Sequence, residues 1–123
     1  MITDLTMRRI LWASAAFNVC GALAFAFPGT IGQLMGLPAP VPALYCVLMA
    51  LFVLLFGGSY AWLALQPQIV RPMVAFAAIG KSSVFLVILV FWLLGETPFR
   101  GVLAGSGDLA FALLFLSWLR SSR

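Results

Sequence analysis

The chain has no histidine, two cysteines and only three acidic residues among 123. Without histidine, the commonest general base and the commonest metal ligand are both missing. Cys20 and Cys46 do not form a metal-binding spacing, so no metal site and no cofactor are expected. A disulfide is not expected either. Cys20 falls midway along one apolar segment, and Cys46 falls near the opposite end of the next. Charge is scarce as well, with 8% of residues ionisable against about 25% in an ordinary soluble domain. The basic residues are spread thinly and form no patch, so nucleic acid is not an expected partner. Alternating strand patterns are absent, which excludes a β-barrel.

What the chain has is apolar surface. Hydrophobic residues make up 64% of it, and the mean hydropathy is +1.16. A chain this short has a high surface-to-volume ratio and could not bury so much apolar area in water. A soluble globular enzyme and a disordered chain are excluded on this ground. An integral membrane protein of one domain remains, with the lipid bilayer as its first partner.

Four apolar segments stand out, at about 10–27, 43–65, 73–94 and 102–119. Each approaches the roughly 17–25 residues that cross a bilayer as a helix. Helix is required because backbone polar groups in hydrocarbon must pair within their own segment. The expected fold is therefore all-α, a bundle of four transmembrane helices spanning residues 1–123. Pro28 and Gly29, then Gln66, Pro67 and Pro72, then Gly95, Pro98 and Gly101 punctuate the segments. The last two connections are short, which predicts that spans two, three and four are antiparallel neighbours. In the longer first loop, residues 30–36 suit a short interfacial helix, with Thr30 as N-cap and Gly36 as its stop. A re-entrant lid is the alternative there.

Orientation follows from arginine. Arg8, Arg9, Arg71, Arg120 and Arg123 fall on one side, and Arg100 alone falls on the other. The positive-inside rule then places both termini in the cytoplasm and the protein in an inner membrane. Arg8-Arg9, an apolar run and Ala24-Phe25-Ala26 also resemble a cleavable signal peptide. The run is long for one, and retention of the first span is the expectation.

Ionisable residues inside a membrane are costly and point to function by default. Lys81 and Asp108 are the two. With Leu94 level with Val102, they sit roughly 10 Å apart along the membrane normal. Helical side chains also lean toward their own N-terminus, which points the two apart. Two polar layers are therefore expected. The inner one holds Lys81 and Ser82 with Asn18, Ser14, Ser59 and Tyr60. The outer one holds Asp108 and Ser106, with Glu96, Arg100 and Gln33 toward the surface and Arg100 as the partner of Asp108 or Glu96. The candidate ligand-binding residues are thus Lys81, Asn18, Tyr60, Ser82, Asp108 and Arg100. Snorkelling of the lysine and interhelical hydrogen bonding are the plainer roles for the same residues. Gly57-Gly58, Gly80, Gly101, Gly105 and Gly107 read as close-packing positions, with room for a ligand as the alternative. Trp12, Trp62, Trp92 and Trp118 read as an aromatic belt.

Phe27-Pro28, Gly36-Leu37-Pro38, Gly57-Gly58-Ser59-Tyr60, Arg71-Pro72, Gly80-Lys81 and Gly107-Asp108 are spread over nearly the whole chain. In this layout the chain resembles small four-span bacterial inner-membrane proteins without assigned activity, broadly of the DoxX-like type. The resemblance implies the fold and the location. Some DoxX-like proteins are thought of as partners of redox systems. This chain lacks the paired cysteines or histidines to carry redox chemistry itself.

No catalytic set converges in the sequence, so the chain is not expected to be an enzyme. The leading expectation is a structural or accessory component of a membrane complex, with a membrane-protein partner or a second copy. The alternative is a small carrier or binding protein for a lipid, quinone or other hydrophobic molecule. Lys81, Asn18 and Tyr60 would form the polar end of its pocket. A single four-helix bundle is narrow, so a dimer interface is expected to supply the room.

Overall fold

A computed structural model describes residues 2–122 of the chain. Arg123, one of the cations counted for orientation, lies outside them. The fold is all-α. Four helices, α1 (Asp4–Ala26), α2 (Ala43–Leu65), α3 (Arg71–Leu93) and α4 (Phe99–Ser121), carry the chain. Each has 23 residues, or about 34 Å at 1.5 Å per residue. All four are long and apolar enough to cross a membrane, whose hydrocarbon core is about 30 Å thick. Their outer faces are studded with exposed large side chains such as Leu51, Trp62, Ile79 and Leu86.

The helix ends explain where the sequence boundaries slip. α1 starts at Asp4, not at Ile10, because Thr3 caps it. The Thr3 hydroxyl accepts from the Thr6 N–H at 3.2 Å, and Asp4 lies in the positive first turn. Arg8 and Arg9 therefore belong to the helix. α3 starts at Arg71 with Pro72 in its first turn, a position that has no N–H to lose. It stops at Gly95, whose φ of +78° closes a Schellman motif through Gly95 N–H to Trp92 O and Glu96 N–H to Phe91 O.

The first loop is helical in part. Pro28–Gly32 forms a π-helical turn that begins from Phe27. Thr30 is not its N-cap; its hydroxyl donates back to Phe27 O at 3.5 Å. The stop is at Gly36, with φ +81° and the same pair of bonds, Gly36 N–H to Gln33 O and Leu37 N–H to Gly32 O. Gly36 then backs directly onto Gly101. A Cβ there would come within 2.5 Å of the Gly101 nitrogen.

Two helical hairpins result, α1 with α2 and α3 with α4. α1 and α4 touch, but the backbones of α2 and α3 hardly approach one another, and the rings of Phe56 and Phe76 bridge the gap at 6.2 Å between centroids. This corrects the expectation that spans two and three are packed neighbours. The arginines show why. Arg8 of α1 donates to Ala64 O and Gln66 O, both at 2.6 Å, and to Pro67 O at 3.1 Å. The C-terminal end of α2 is thereby fastened to α1, and the connection to α3 spans the gap.

The second hairpin repeats the first. Arg71 of α3 donates to Leu119 O and Ser122 O at the end of α4, at 2.8 and 3.0 Å, and to the Ser122 hydroxyl. In both hairpins a cation meets the negative end of the partner helix. From α1 to α3 the shift is 63 residues, pairing Arg8 with Arg71, Leu11 with Val74, Ala15 with Ala78 and Asn18 with Lys81. From α2 to α4 it is 55, pairing Cys46 with Gly101, Gly57 with Ala112, Tyr60 with Phe115 and Leu63 with Trp118. Apart from the arginines, every residue in these pairs is buried. Tyr60 and Phe115, a matched pair, meet edge to face at 6.0 Å between the hairpins.

The core gathers at the arginine end, around Met7, Leu11, Leu63, Val74, Phe115 and Trp118. Trp118 is 3% exposed and donates its Nε1–H to Asp4 at 3.0 Å. It is part of the core and not of an aromatic belt. Beyond the core the hairpins diverge on the α2/α3 side, leaving the space that defines the site.

Candidate functional site

Lys81 comes from α3, is 3% exposed, and sends its ammonium to two acceptors. Asp108 Oδ1 on α4 lies at 2.9 Å and Asn18 Oδ1 on α1 at 3.1 Å. Asn18 is itself oriented, because its Nδ2 donates to Val53 O on α2 at 3.0 Å. All four helices thus meet through one lysine. Three rings enclose the ammonium, with centroids at 5.0 Å for Tyr60, 5.2 Å for Phe17 and 5.3 Å for Phe111. Each offers the negative face of its π system to the cation, an attraction that grows when water is excluded. Phe17 and Phe111 also pack together at 5.6 Å.

The two-layer expectation is overturned by this arrangement. Its register was wrong: α3 ends at Leu93 and α4 begins at Phe99, and Gly105 faces Ile88. In that register Lys81 and Asp108 are about four residues apart in level, or about 6 Å. A lysine stem of four carbons closes such a gap, even against the lean of its helix.

A cavity of about 820 Å³ opens beside this cluster, between α2 and α3. Ligand pockets commonly fall between about 300 and 1,000 Å³. One chain therefore supplies the room, and no dimer interface is needed for it. Phe25, Phe52, Phe56, Phe76 and Val84 make its walls apolar, while Asn18, Tyr60, Lys81 and Asp108 stand at its polar floor. Tyr60 is 5% exposed, and its hydroxyl has no hydrogen-bond partner among the described residues. Asp108 is more open, with 17% of its side chain accessible. Its Oδ1 is taken by Lys81 and its Oδ2 has no such partner.

The repeat explains why the cavity exists. On the α1/α4 side, Phe17 lies against Gly107, so closely that a Cβ there would sit 2.5 Å from the ring. The matched positions on the α2/α3 side are Gly80 and Phe52. Both line the cavity, and a Cβ on Gly80 would meet nothing within 4 Å. The same large-on-small contact is closed on one side of the molecule and open on the other.

Of the candidate residues, Lys81, Asn18, Tyr60 and Asp108 converge. Ser82 is turned away and does not line the cavity. Arg100 lies elsewhere: it partners neither Asp108 nor Glu96, and donates from Nε to Gln33 O at 2.7 Å, tying the first loop to α4. Ser59 lines the cavity but bonds its own helix at Phe56 O, and Ser106 likewise bonds Leu103 O. Ser14, fully buried, keeps an unpartnered hydroxyl. The enclosing rings of Phe17 and Phe111 and the place of Phe52 opposite Gly80 escaped the sequence reading, in which room for a ligand is only the alternative at Gly80. The ten-residue spacing shared by Arg8–Asn18 and Arg71–Lys81 is the signal that points to them. Among the described residues no three metal-ligating side chains converge.

Fold and site together define a polytopic helical protein with a buried ion pair at the floor of a cleft between two of its spans. Neither protein-family models, nor curated proteins, nor solved structures give a match to the chain.

Proposed function

We propose that this chain is a multi-pass inner-membrane protein that binds a lipophilic small molecule in the cleft between α2 and α3. The cavity carries this reading. It is large, apolar along its walls, and ends on four converging polar side chains. A ligand enters sideways from the bilayer, tail first along the phenylalanines, with its polar end reaching Asp108 and Tyr60. The accessory-subunit reading has no comparable observation in its favour. The likeness to DoxX-like proteins remains one of layout.

Both termini are cytoplasmic in this reading. Arg8 and Arg71 fasten helices at one end of the bundle, where Arg120 also lies, and Arg100 lies at the other. This matches the positive-inside rule. The turn at Pro28–Gly32 then lies at the outer interface, pinned to α4 through Gly36 and Arg100.

Native mass spectrometry of protein gently extracted from its own membrane tests the reading. The wild type is expected to carry one small molecule of defined mass. The Gly80→Leu variant, which fills the cleft where nothing else stands, is expected to lose it. An empty wild type, or equal retention by both proteins, would contradict the proposal.

A further inference from the structure

The polar floor also specifies the class of ligand, provided the cleft is the binding site proposed above. Lys81 and Asp108 neutralise one another at 2.9 Å. The ammonium already holds Asp108 and Asn18 as acceptors and has the rings of Phe17, Tyr60 and Phe111 around it, so an anionic head would have to displace partners it already has. A cationic head would have to compete with Lys81 for Asp108. Either charge would also enter an apolar cavity without a counterion of its own, and an unpaired charge in such a setting is heavily penalised.

Asp108 and Tyr60 each bring to the cavity lining a polar atom with no hydrogen-bond partner among the described residues, whereas the Ser59 hydroxyl already donates to Phe56 O. Asp108 Oδ2 is an acceptor and nothing else. Tyr60 Oη is a donor as well as an acceptor, and it belongs to a residue more than nine-tenths buried. A hydroxyl group satisfies both at once, donating to the carboxylate and accepting from the phenol. An ether or ester oxygen can meet only Tyr60.

The repeat indicates where the rest of the molecule lies. On the α1/α4 side the ring of Phe17 fills the space over Gly107. On the α2/α3 side Phe52 and Gly80 stand apart, and the volume between them is free for an apolar chain. The flanking residues Leu51 and Ile79 are exposed on the outer surface of the same helices, so the far end of a long chain continues into lipid.

We propose that the cleft selects an uncharged lipophilic alcohol, its hydroxyl held between Asp108 Oδ2 and Tyr60 Oη and its chain lying between Phe52 and Gly80. Four probes of one chain length test this: a long-chain 1-alkanol, its methyl ether, the carboxylate and the primary ammonium. Binding is measured on purified full-length protein in nanodiscs. The alkanol is expected to bind about tenfold tighter than each of the other three, the loss for one hydrogen bond to a charged group. Tyr60→Phe, which removes only the hydroxyl, is expected to weaken the alkanol and the ether alike severalfold and to leave the alkanol's advantage over the ether, which rests on Asp108, unchanged. If the ether equals the alkanol, the contact to Asp108 is wrong. If the carboxylate or the ammonium binds tightest, the ion pair opens for its ligand and the neutral head is wrong. If no probe binds while native mass spectrometry still finds a small molecule, the alcohol class fails and the binding function stands. If neither experiment finds a ligand, both fail.

Discussion

Replacing Lys81 by methionine would leave the Asp108 carboxylate inside the bundle without its ammonium, and replacing Asp108 by leucine would do the reverse. Breaking a buried pair from one side typically costs about 3–5 kcal/mol, while exchanging both members for apolar residues is often neutral or better. Lys81→Met and Asp108→Leu are therefore each expected to lower the thermal midpoint in detergent markedly. The double variant is expected to recover most of that loss. A double variant as unstable as the sum of the singles would show that the 2.9 Å contact does not couple the two residues. At this scale the sequence was informative about which residues matter. An ionisable group in an apolar span is conspicuous, and Asn18 and Tyr60 stand at matching depths. That the two charges meet was not legible. It turns on a helix register shifted by a few residues and on a lysine stem bending against the lean of its helix.

Each hairpin is fastened by one arginine that caps the C-terminal end of its partner helix, and this fixes what the cleft can be. Arg8→Ala strips three carbonyl contacts from the end of α2. Arg71→Ala strips two carbonyl contacts and one hydroxyl contact from the end of α4. Each change is expected to destabilise by about 1–3 kcal/mol, measured by thermal or denaturant unfolding in detergent. The glycines divide in the same way. A Cβ on Gly57 would lie 2.8 Å from the Asn18 Cβ, whereas one on Gly80 meets nothing within 4 Å. Gly57→Ala is expected to destabilise the protein and Gly80→Ala to leave stability unchanged, although both sit in membrane-spanning helices. Helix existence was plain in the apolar runs, and the stop at Gly36 was legible from residue type alone. Helix starts were not, because Thr3–Asp4 and Arg71–Pro72 are polar or helix-breaking residues that begin a helix by capping it. The packing order was misread for a related reason. Short loops suggest neighbours, but the fastening is done by Arg8 across the chain, and the repeat that exposes it lies in spacings and not in identical residues.

Viewed whole, the molecule is two similar hairpins closed along α1/α4 and open along α2/α3, with its only described ion pair at the floor of the opening. Composition alone dictated a helical membrane protein. The location of the cavity depends on side-chain sizes across two faces, Phe17 on Gly107 and Phe52 opposite Gly80, which no single segment reveals. A reporter fused to the C-terminus that fluoresces only in the cytoplasm is expected to be bright, and one fused in the first loop dark; the reverse pattern would contradict the proposed orientation. The central claim is that the α2/α3 cleft receives a lipophile from the bilayer. The most direct test is a long-chain alkanol carrying a photoreactive group near its hydroxyl, cross-linked in native membranes and mapped by peptide sequencing. Adducts are expected to concentrate on the cavity-lining residues Phe52, Phe56, Tyr60, Phe76 and Val84, and to be lost in Gly80→Leu. Labelling spread evenly over exposed residues outside the cavity lining, such as Leu51, Ile79 and Leu86, and unchanged in that variant, would contradict it.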